Sequence, residues 1–175
     1  MSEKFIINGQ KKLSGEIEVK GSKNAALKIL AALILSDQKC TINNFPFIED
    51  TMGMLELLKG LGATFEMQKD AKKVVIDPAG ISSKPLDSAM VRRLRTSILL
   101  AGPLLARFGQ VEMEHPGGCF IGKRPIDLFL DGFEKLGANV EMSDSKFKLQ
   151  SRGRLKAAHI FFPQVTVTGT EAMMM

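Results

Sequence analysis

LLKGLGATFEM (residues 57–67) and GFEKLGANVEM (residues 132–142) are two copies of one pattern. In each copy a helix-like run ends at Leu-Gly-Ala, and apolar residues then alternate as they do in a strand. Gly62 and Gly137 each follow the last leucine of the run, where a glycine with positive φ commonly ends a helix. The copies stand 75 residues apart, and self-similarity at that spacing predicts a repeated structural unit.

The similarity extends upstream, to LKILAALILSDQKCTINNFP (residues 27–46) and SILLAGPLLARFGQVEMEHP (residues 97–116). Each stretch predicts an apolar helix, a short polar turn, a strand and a final proline. Pro46 and Pro116 are only 70 residues apart, so the second copy carries about five extra residues before its next helix. These fall within GGCFIGKR (residues 117–124), and insertions into a repeated scaffold often carry function.

A third copy is expected to begin at RLKAAHIFFPQVTVTGTEAMMM (residues 154–175) and to stop as its helix starts, as in a truncated chain. The fold class predicted is α+β, with repeated units around apolar helices, which are normally buried. We expect Pro103 to kink the second apolar helix, because proline removes a backbone hydrogen bond. Strands are predicted near 15–20, 39–43, 64–68, 73–77, 110–115, 139–143, 146–150 and 158–162, and helices near 24–36, 51–61, 91–107 and 125–136.

Composition narrows the class of protein. The 175 residues are 45% hydrophobic, carry a net charge of +5 and include two cysteines, no tryptophan and no tyrosine. The scattered cations lack the basic stripe with aromatics that is typical of nucleic-acid binders. No apolar run is long enough to span a membrane, and the start of the chain lacks a signal-peptide pattern. We therefore expect a soluble protein of a reducing compartment that binds a small anionic molecule.

The inserted loop holds the cysteine of greatest interest. A lone cysteine is usually a small buried hydrophobe, and Cys40, alternating with apolar residues, fits that interpretation. Cys119 differs, since its glycine-rich loop offers few side chains to bury a thiol. Lys123 and Arg124 lie close enough in sequence to favour the thiolate. The spacing alone leaves a structural and a reactive role for Cys119 both open.

Cations also precede both apolar helices. Lys23 follows Gly21 and Ser22 at the start of the first helix, where peptide N–H groups favour an anion. Arg92, Arg93 and Arg95 precede the second helix at the equivalent place. Each is individually explained as solvated surface, but related repeats would bring the cationic segments toward one anionic site. His115 and His159 have no metal-ligand spacing with the cysteines, so no metal site is expected.

Four motifs together resemble one family closely: GSKNAAL (21–27), VRRLRTSILLAGPLLARFG (91–109), PGGCFIGKRPIDL (116–128) and VTVTGTEAMMM (165–175). They are similar to the UDP-N-acetylglucosamine 1-carboxyvinyltransferase family of enolpyruvyl transferases, in the same order and over essentially the whole chain. The related 5-enolpyruvylshikimate-3-phosphate synthases begin with a GSKS-type motif and lack the cysteine loop. Asn24 and Cys119 therefore favour the sugar-nucleotide enzymes.

The resemblance implies an inside-out α/β barrel of βαβαββ units and transfer of enolpyruvyl from phosphoenolpyruvate to the 3′-hydroxyl of UDP-N-acetylglucosamine. It implies that Cys119 protonates C3 of phosphoenolpyruvate and is alkylated by fosfomycin. It further implies that Lys23, Asn24 and Arg124 contact phosphoenolpyruvate. No cofactor is implied. The residues implied to hold the sugar nucleotide are Arg95, Arg124, Pro125, Ile126, Asp127, Leu128, Gln164, Val165, Thr166 and Val167.

The family also implies a second domain that these residues do not contain. Residues 1–21 are expected to form an arm belonging with that domain, and residues 22–175 an incomplete first domain of two units and the start of a third. The missing domain completes the site, so the chain alone is expected to be inactive. A non-catalytic module that binds sugar nucleotide remains the alternative from another class. A cytoplasmic location in peptidoglycan synthesis is implied, without nucleic-acid or membrane partners.

Overall fold

The computed structural model describes residues 4–117 and 126–175. The fold is α+β, as predicted, and short 3₁₀ helices at Leu33–Leu35 and Arg95–Leu100 accompany the main elements. In chain order these are α1 (Lys23–Ala32), β1 (Cys40–Asn43), α2 (Glu49–Leu61), β2 (Thr64–Gln68), β3 (Lys73–Asp77), α3 (Ser88–Arg93), α4 (Ala101–Phe108), β4 (Gln110–Glu114), α5 (Asp127–Lys135), β5 (Asn139–Met142), β6 (Lys146–Gln150) and α6 (Val167–Met174).

The two predicted repeats are confirmed by their sheets. The first sheet has the strand order β1-β3-β2 and the second the order β4-β6-β5, both antiparallel. In each unit the third strand is therefore central and the helix between the first two strands precedes an edge strand. Gly62 and Gly137 end the equivalent helical segments at φ values of 120° and 92°. The Leu-Gly-Ala pattern thus marks the same turn in both units.

The core lies between the helices and one face of each sheet. Alternation along β3 and β6 sends Val74 and Ile76, then Phe147 and Leu149, into this core, where each is almost fully buried. The apolar helices contribute a larger share, with α4 buried from Ala101 to Leu105. On α1 the prediction of burial holds for Ala26, Leu27, Leu30 and Ala31, whereas Ile29 on the opposite side is 44% exposed.

Two predicted strands are wrong. The segments 15–20 and 158–162 form no strand in the structure, although apolar residues alternate in the first and stand consecutively in the second. Ile17, Val19 and Phe161 are 92%, 84% and 82% exposed. A strand forms only where a neighbouring edge accepts its backbone hydrogen bonds, and neither described sheet pairs with these segments. The apolar pattern therefore identified residues suited to a sheet without identifying a partner.

The predicted kink at Pro103 is also misplaced. The helical run is interrupted at Leu94, whose φ and ψ of −111° and 99° are extended, and it continues as a 3₁₀ helix before α4. Pro103 is the third residue of α4, within the first turn, where α-helical N–H groups have no carbonyl partner. Proline is tolerated there. The apolar run continues through these changes because burial, rather than helix type, sets its pattern.

Arg107 joins the two units at their helix ends. Its guanidinium donates to the carbonyl oxygens of Ile34 and Ser36 at 2.7 and 3.0 Å. Those carbonyls end the first helical segment, so they have lost their own helical partners and favour a cation. Arg107 thereby fixes α4 against the end of the 3₁₀ helix Leu33–Leu35.

Candidate anion-binding site

Lys23 is the first residue of α1, and the structure gives it a partner in the same chain. Ser22 caps the helix by accepting a hydrogen bond from the N–H of Ala25 at 3.3 Å. Lys23 Nζ then lies 2.8 Å from a carboxylate oxygen of Asp50, in the first turn of α2. Asn24 is exposed beside it. The cation at a helix start is therefore compensated by a carboxylate that no sequence pattern indicated.

The three arginines at the end of α3 and just after it differ in their surroundings. Arg93 pairs with Glu49 at 3.2 Å, and both side chains are largely exposed, which makes this a solvated surface pair. Arg92 pairs with Glu114 at the end of β4. Arg95 is half-buried and donates to the carbonyl oxygen of Pro116 at 3.0 Å. Of the three, Arg95 is the cation held at the base of the inserted loop.

Close backbone contact fixes that loop base. The N–H of Gly117 donates to the carbonyl of Val91 at 3.3 Å, and a Cβ on Gly117 would lie only 1.6 Å from the carbonyl oxygen of Arg92. Gly21, before α1, stands equally close to the segment after β1, since a Cβ there would lie 1.7 Å from the carbonyl oxygen of Asn44. The exit of a strand thus lies against Gly21 before α1 in the first unit and against the end of α3 in the second.

A carboxylate lies beside the loop base. The hydroxyl of Ser88 donates a hydrogen bond to Glu114 and, with Arg92, holds the pKa of this carboxyl below its usual value. The carboxylate accordingly stays charged at neutral pH and keeps Arg92 bound to β4. Arg92 is therefore part of the scaffold under the loop.

The predicted contacts in the loop itself cannot be placed. Cys119, Arg124 and Pro125 lie outside the described residues. After them, Ile126 is buried, and Asp127 and Leu128 begin α5. The predictions for the loop therefore rest on its sequence.

The last predicted group lies at the start of α6. Thr166 caps this helix by accepting from the N–H of Gly169 at 3.1 Å, while Gln164, Val165 and Val167 are exposed. Helix α6 packs against α5 and α4. The two groups of predicted sugar-nucleotide contacts therefore begin neighbouring helices. Lys28 of α1 reaches toward α6, with Nζ 3.2 Å from Glu171 Oε2.

The other candidate residues have ordinary structural surroundings. Cys40 is half-buried on the core side of β1, as expected for a structural cysteine. His115 Nε2 lies 3.0 Å from the carbonyl oxygen of Ser143, and His159 is exposed. Residues 4–117 and 126–175 contain no cluster of His, Cys, Asp and Glu suited to a metal ion. Over the same ranges no helix has the length and apolarity needed to cross a membrane.

One surface groove of about 490 Å³ separates β4 from residues 83–86 and reaches Ser88 and Glu114 beside the loop base. Its lysines and glutamates largely neutralise one another, as in the pair between Lys146 and Glu112. Lys23 and the starts of α5 and α6 instead lie on open surface. The candidate residues therefore form one side of a binding site, and no described residues face them from the other side.

Two solved structures share the fold of this chain. The enolpyruvyl transferase NikO from Streptomyces tendae matches with a TM-score of 0.71 at 23% identity, over 85% of this chain and 32% of that chain. EPSP synthase from Acinetobacter baumannii matches with a TM-score of 0.69 at 19% identity, over 91% of this chain and 37% of that chain. At these identities the likeness establishes an enolpyruvyl transferase fold.

The chain belongs to the EPSP synthase (3-phosphoshikimate 1-carboxyvinyltransferase) family, whose sequence profile matches residues 7–175. Within it, the chain is 44% identical over 173 residues to UDP-N-acetylglucosamine 1-carboxyvinyltransferase from Cellvibrio japonicus, covering 99% of this chain and 41% of that protein. It is also 44% identical over 169 residues to the enzyme of the same name from Campylobacter fetus, covering 97% of this chain and 40% of that one. The chain therefore spans about two-fifths of the length of these relatives.

Proposed function

We propose that this chain is the first part of an enzyme that transfers enolpyruvyl from phosphoenolpyruvate to the 3′-hydroxyl of UDP-N-acetylglucosamine and releases phosphate. The observation that carries the proposal is the identity of 42–44% to relatives named for this reaction, over nearly the whole chain. Residues 1–21 are then an arm of a second domain, and residues 22–175 an incomplete first domain. The enzyme acts in the cytoplasm, in peptidoglycan synthesis and cell-wall growth.

The roles assigned to the residues of the chain follow the family resemblance. Addition of the sugar hydroxyl to C2 of phosphoenolpyruvate requires a proton at C3, and we assign its donation to Cys119. The substrate brings a phosphate and a carboxylate, which Lys23, Asn24 and Arg124 bind. Preorganised cations of this kind stabilise the charge of a reacting anion without reorganising during the reaction. Supporting this, Lys23 is held by a contact within the chain.

The sugar nucleotide is assigned to the two neighbouring helix starts. Arg95 and residues 124–128 form one group of assigned contacts. Residues 164–167 form the other. The exposure of Gln164, Val165 and Val167 supports this assignment, because exposed apolar and amide side chains are available to a ligand. Arginine contributes a planar guanidinium that suits a diphosphate.

The identity of the acceptor tests the proposal. We expect the whole protein to release phosphate from phosphoenolpyruvate when UDP-N-acetylglucosamine is added, and to release little with shikimate 3-phosphate. The 175 residues alone are expected to show no turnover with either acceptor, because the opposite wall of the site is missing. A coupled phosphate assay measures all four combinations. Preference for shikimate 3-phosphate, or binding of sugar nucleotide without turnover by the whole protein, would replace the proposed function.

A further inference from the structure

We propose that Asp50 is a positioning residue that holds Lys23 ready for an anionic substrate. The inference rests on the proposed function, in which Lys23 binds phosphoenolpyruvate. Its structural basis is independent of that function, since Lys23 Nζ lies 2.8 Å from Asp50 Oδ2. The pair joins residues 27 positions apart, from the starts of two different helices.

Asp50 lies in the first turn of α2, whose backbone is held by hydrogen bonds. The next residue, Thr51, is fully buried, and its hydroxyl donates to the carbonyl oxygen of Pro46 at 2.5 Å and accepts from the N–H of Ile48 at 3.2 Å. Buried hydrogen bonds of this kind hold a backbone in one arrangement. The first turn of α2 therefore has a fixed position relative to the segment 44–48.

That segment in turn lies against the start of α1. A Cβ on Gly21 would stand 1.7 Å from the carbonyl oxygen of Asn44 and 3.1 Å from Pro46 Cδ. Ser22 then caps α1 and places Lys23 as its first residue. Lysine and carboxylate are thus brought together by the backbone on both sides, and the ion pair does not depend on two mobile loops meeting.

The ion pair leaves Lys23 able to bind a ligand. A lysine ammonium has three donors, and Asp50 uses one. The side chains of Lys23 and Asp50 are 48% and 41% exposed, so the remaining donors face solvent. An unrestrained lysine loses considerable side-chain entropy when it binds a ligand. Asp50 restricts the flexible stem beforehand, which lowers the entropy lost on binding.

Electrostatic repulsion alone predicts the opposite effect on substrate binding. The direction of the change in KM therefore decides between the two explanations. A carboxylate next to an anion site repels the anion, so its removal would tighten binding if electrostatics dominated. If positioning dominates, removal weakens binding. We expect Asp50→Ala in the whole protein to raise KM for phosphoenolpyruvate about fivefold, the upper range for an exposed ion pair, with a smaller change in kcat. Asp50→Asn, which keeps an oxygen acceptor, should recover part of the loss.

The neighbouring carboxylate provides a matched control. Glu49→Gln removes the same charge from the same helical turn, but Glu49 pairs with the exposed Arg93. We expect its KM for phosphoenolpyruvate to stay near that of the unchanged protein. In a Lys23→Ala background, Asp50→Ala should cause no further loss, because the two residues act through one contact. KM for UDP-N-acetylglucosamine and the thermal midpoint, measured on every variant, reveal any general loss of structure.

The outcomes are distinct. An unchanged or lower KM in Asp50→Ala overturns the positioning role while leaving the proposed function intact. An equal rise in both substrates' KM values with a lowered thermal midpoint also overturns it, since that is the result of a purely structural role. Failure of the unchanged protein to use phosphoenolpyruvate would overturn the proposed function, and this inference with it.

Discussion

Cys119→Ser is expected to reduce kcat of the whole protein by about 10²- to 10⁴-fold, the usual contribution of a general acid. Serine is close to cysteine in size but far less acidic, so it would fill the loop position without supplying the proton for C3. Because a serine hydroxyl is also less nucleophilic than a thiolate, the variant should resist fosfomycin. Steady-state turnover with phosphoenolpyruvate and UDP-N-acetylglucosamine measures the effect.

Two variants control this result. Cys119→Asp supplies another acid and is expected to keep measurable turnover while escaping alkylation. Cys40→Ser changes the other cysteine, which lies half-buried in β1, and should leave kcat nearly unchanged. Wild-type turnover in Cys119→Ser would show that Cys119 is not the proton donor.

Gly117→Ala is expected to produce the second large effect, through the base of the loop. The new Cβ would lie 1.6 Å from the backbone carbonyl oxygen of Arg92, so the loop or α3 must move. Overpacking of this kind typically costs about 1–3 kcal/mol. The hydrogen bond from Arg95 to Pro116 lies one residue away. This cost lowers the unfolding midpoint. Since a misplacement of about 1 Å can cost about a hundredfold in rate, we expect the shifted loop base to lower kcat/KM by more than about tenfold.

Gly60→Ala is the matched control. Gly60 lies in α2 with nothing within 4 Å of an added Cβ. Alanine in a helix is favoured over glycine by up to about 1 kcal/mol, so this variant should be slightly more stable and equally active. Steady-state kinetics gives the activity of the two variants, and thermal denaturation gives their unfolding midpoints. An unaltered Gly117→Ala protein would show that the close approach at the loop base is not required.

The repeats explain how much of the fold the sequence predicted. Two turns could be predicted, at Leu61-Gly62-Ala63 and at Leu136-Gly137-Ala138. Each depends on a glycine that ends a helix, and that signal lies in the neighbouring residues of the sequence. The strands predicted at 15–20 and 158–162 depended on a partner edge, which no local pattern specifies. The interruption at Leu94 could not be predicted, because 3₁₀ and α-helical turns bury similar apolar runs.

The residues of the candidate site also differ in whether the sequence could reveal them. Lys23 and Arg95 were identifiable because cations preceding apolar helices are unusual. Asp50 was not, since acidic residues favour the first turn of any helix and only the three-dimensional contact gives this one a partner. The close approach of Gly117 to Arg92 joins residues 25 positions apart, and a glycine in a loop does not reveal what it touches.

The most direct measurement is intact-mass analysis of the purified protein after exposure to fosfomycin, with and without UDP-N-acetylglucosamine. Peptide mapping then locates any adduct. Attack of a thiolate opens the epoxide and adds the whole molecule to one cysteine. We expect a single adduct on Cys119, none on Cys40, and faster labelling when the sugar nucleotide is present. No adduct, or equal labelling of both cysteines, would contradict the assignment of Cys119 and of the site around it.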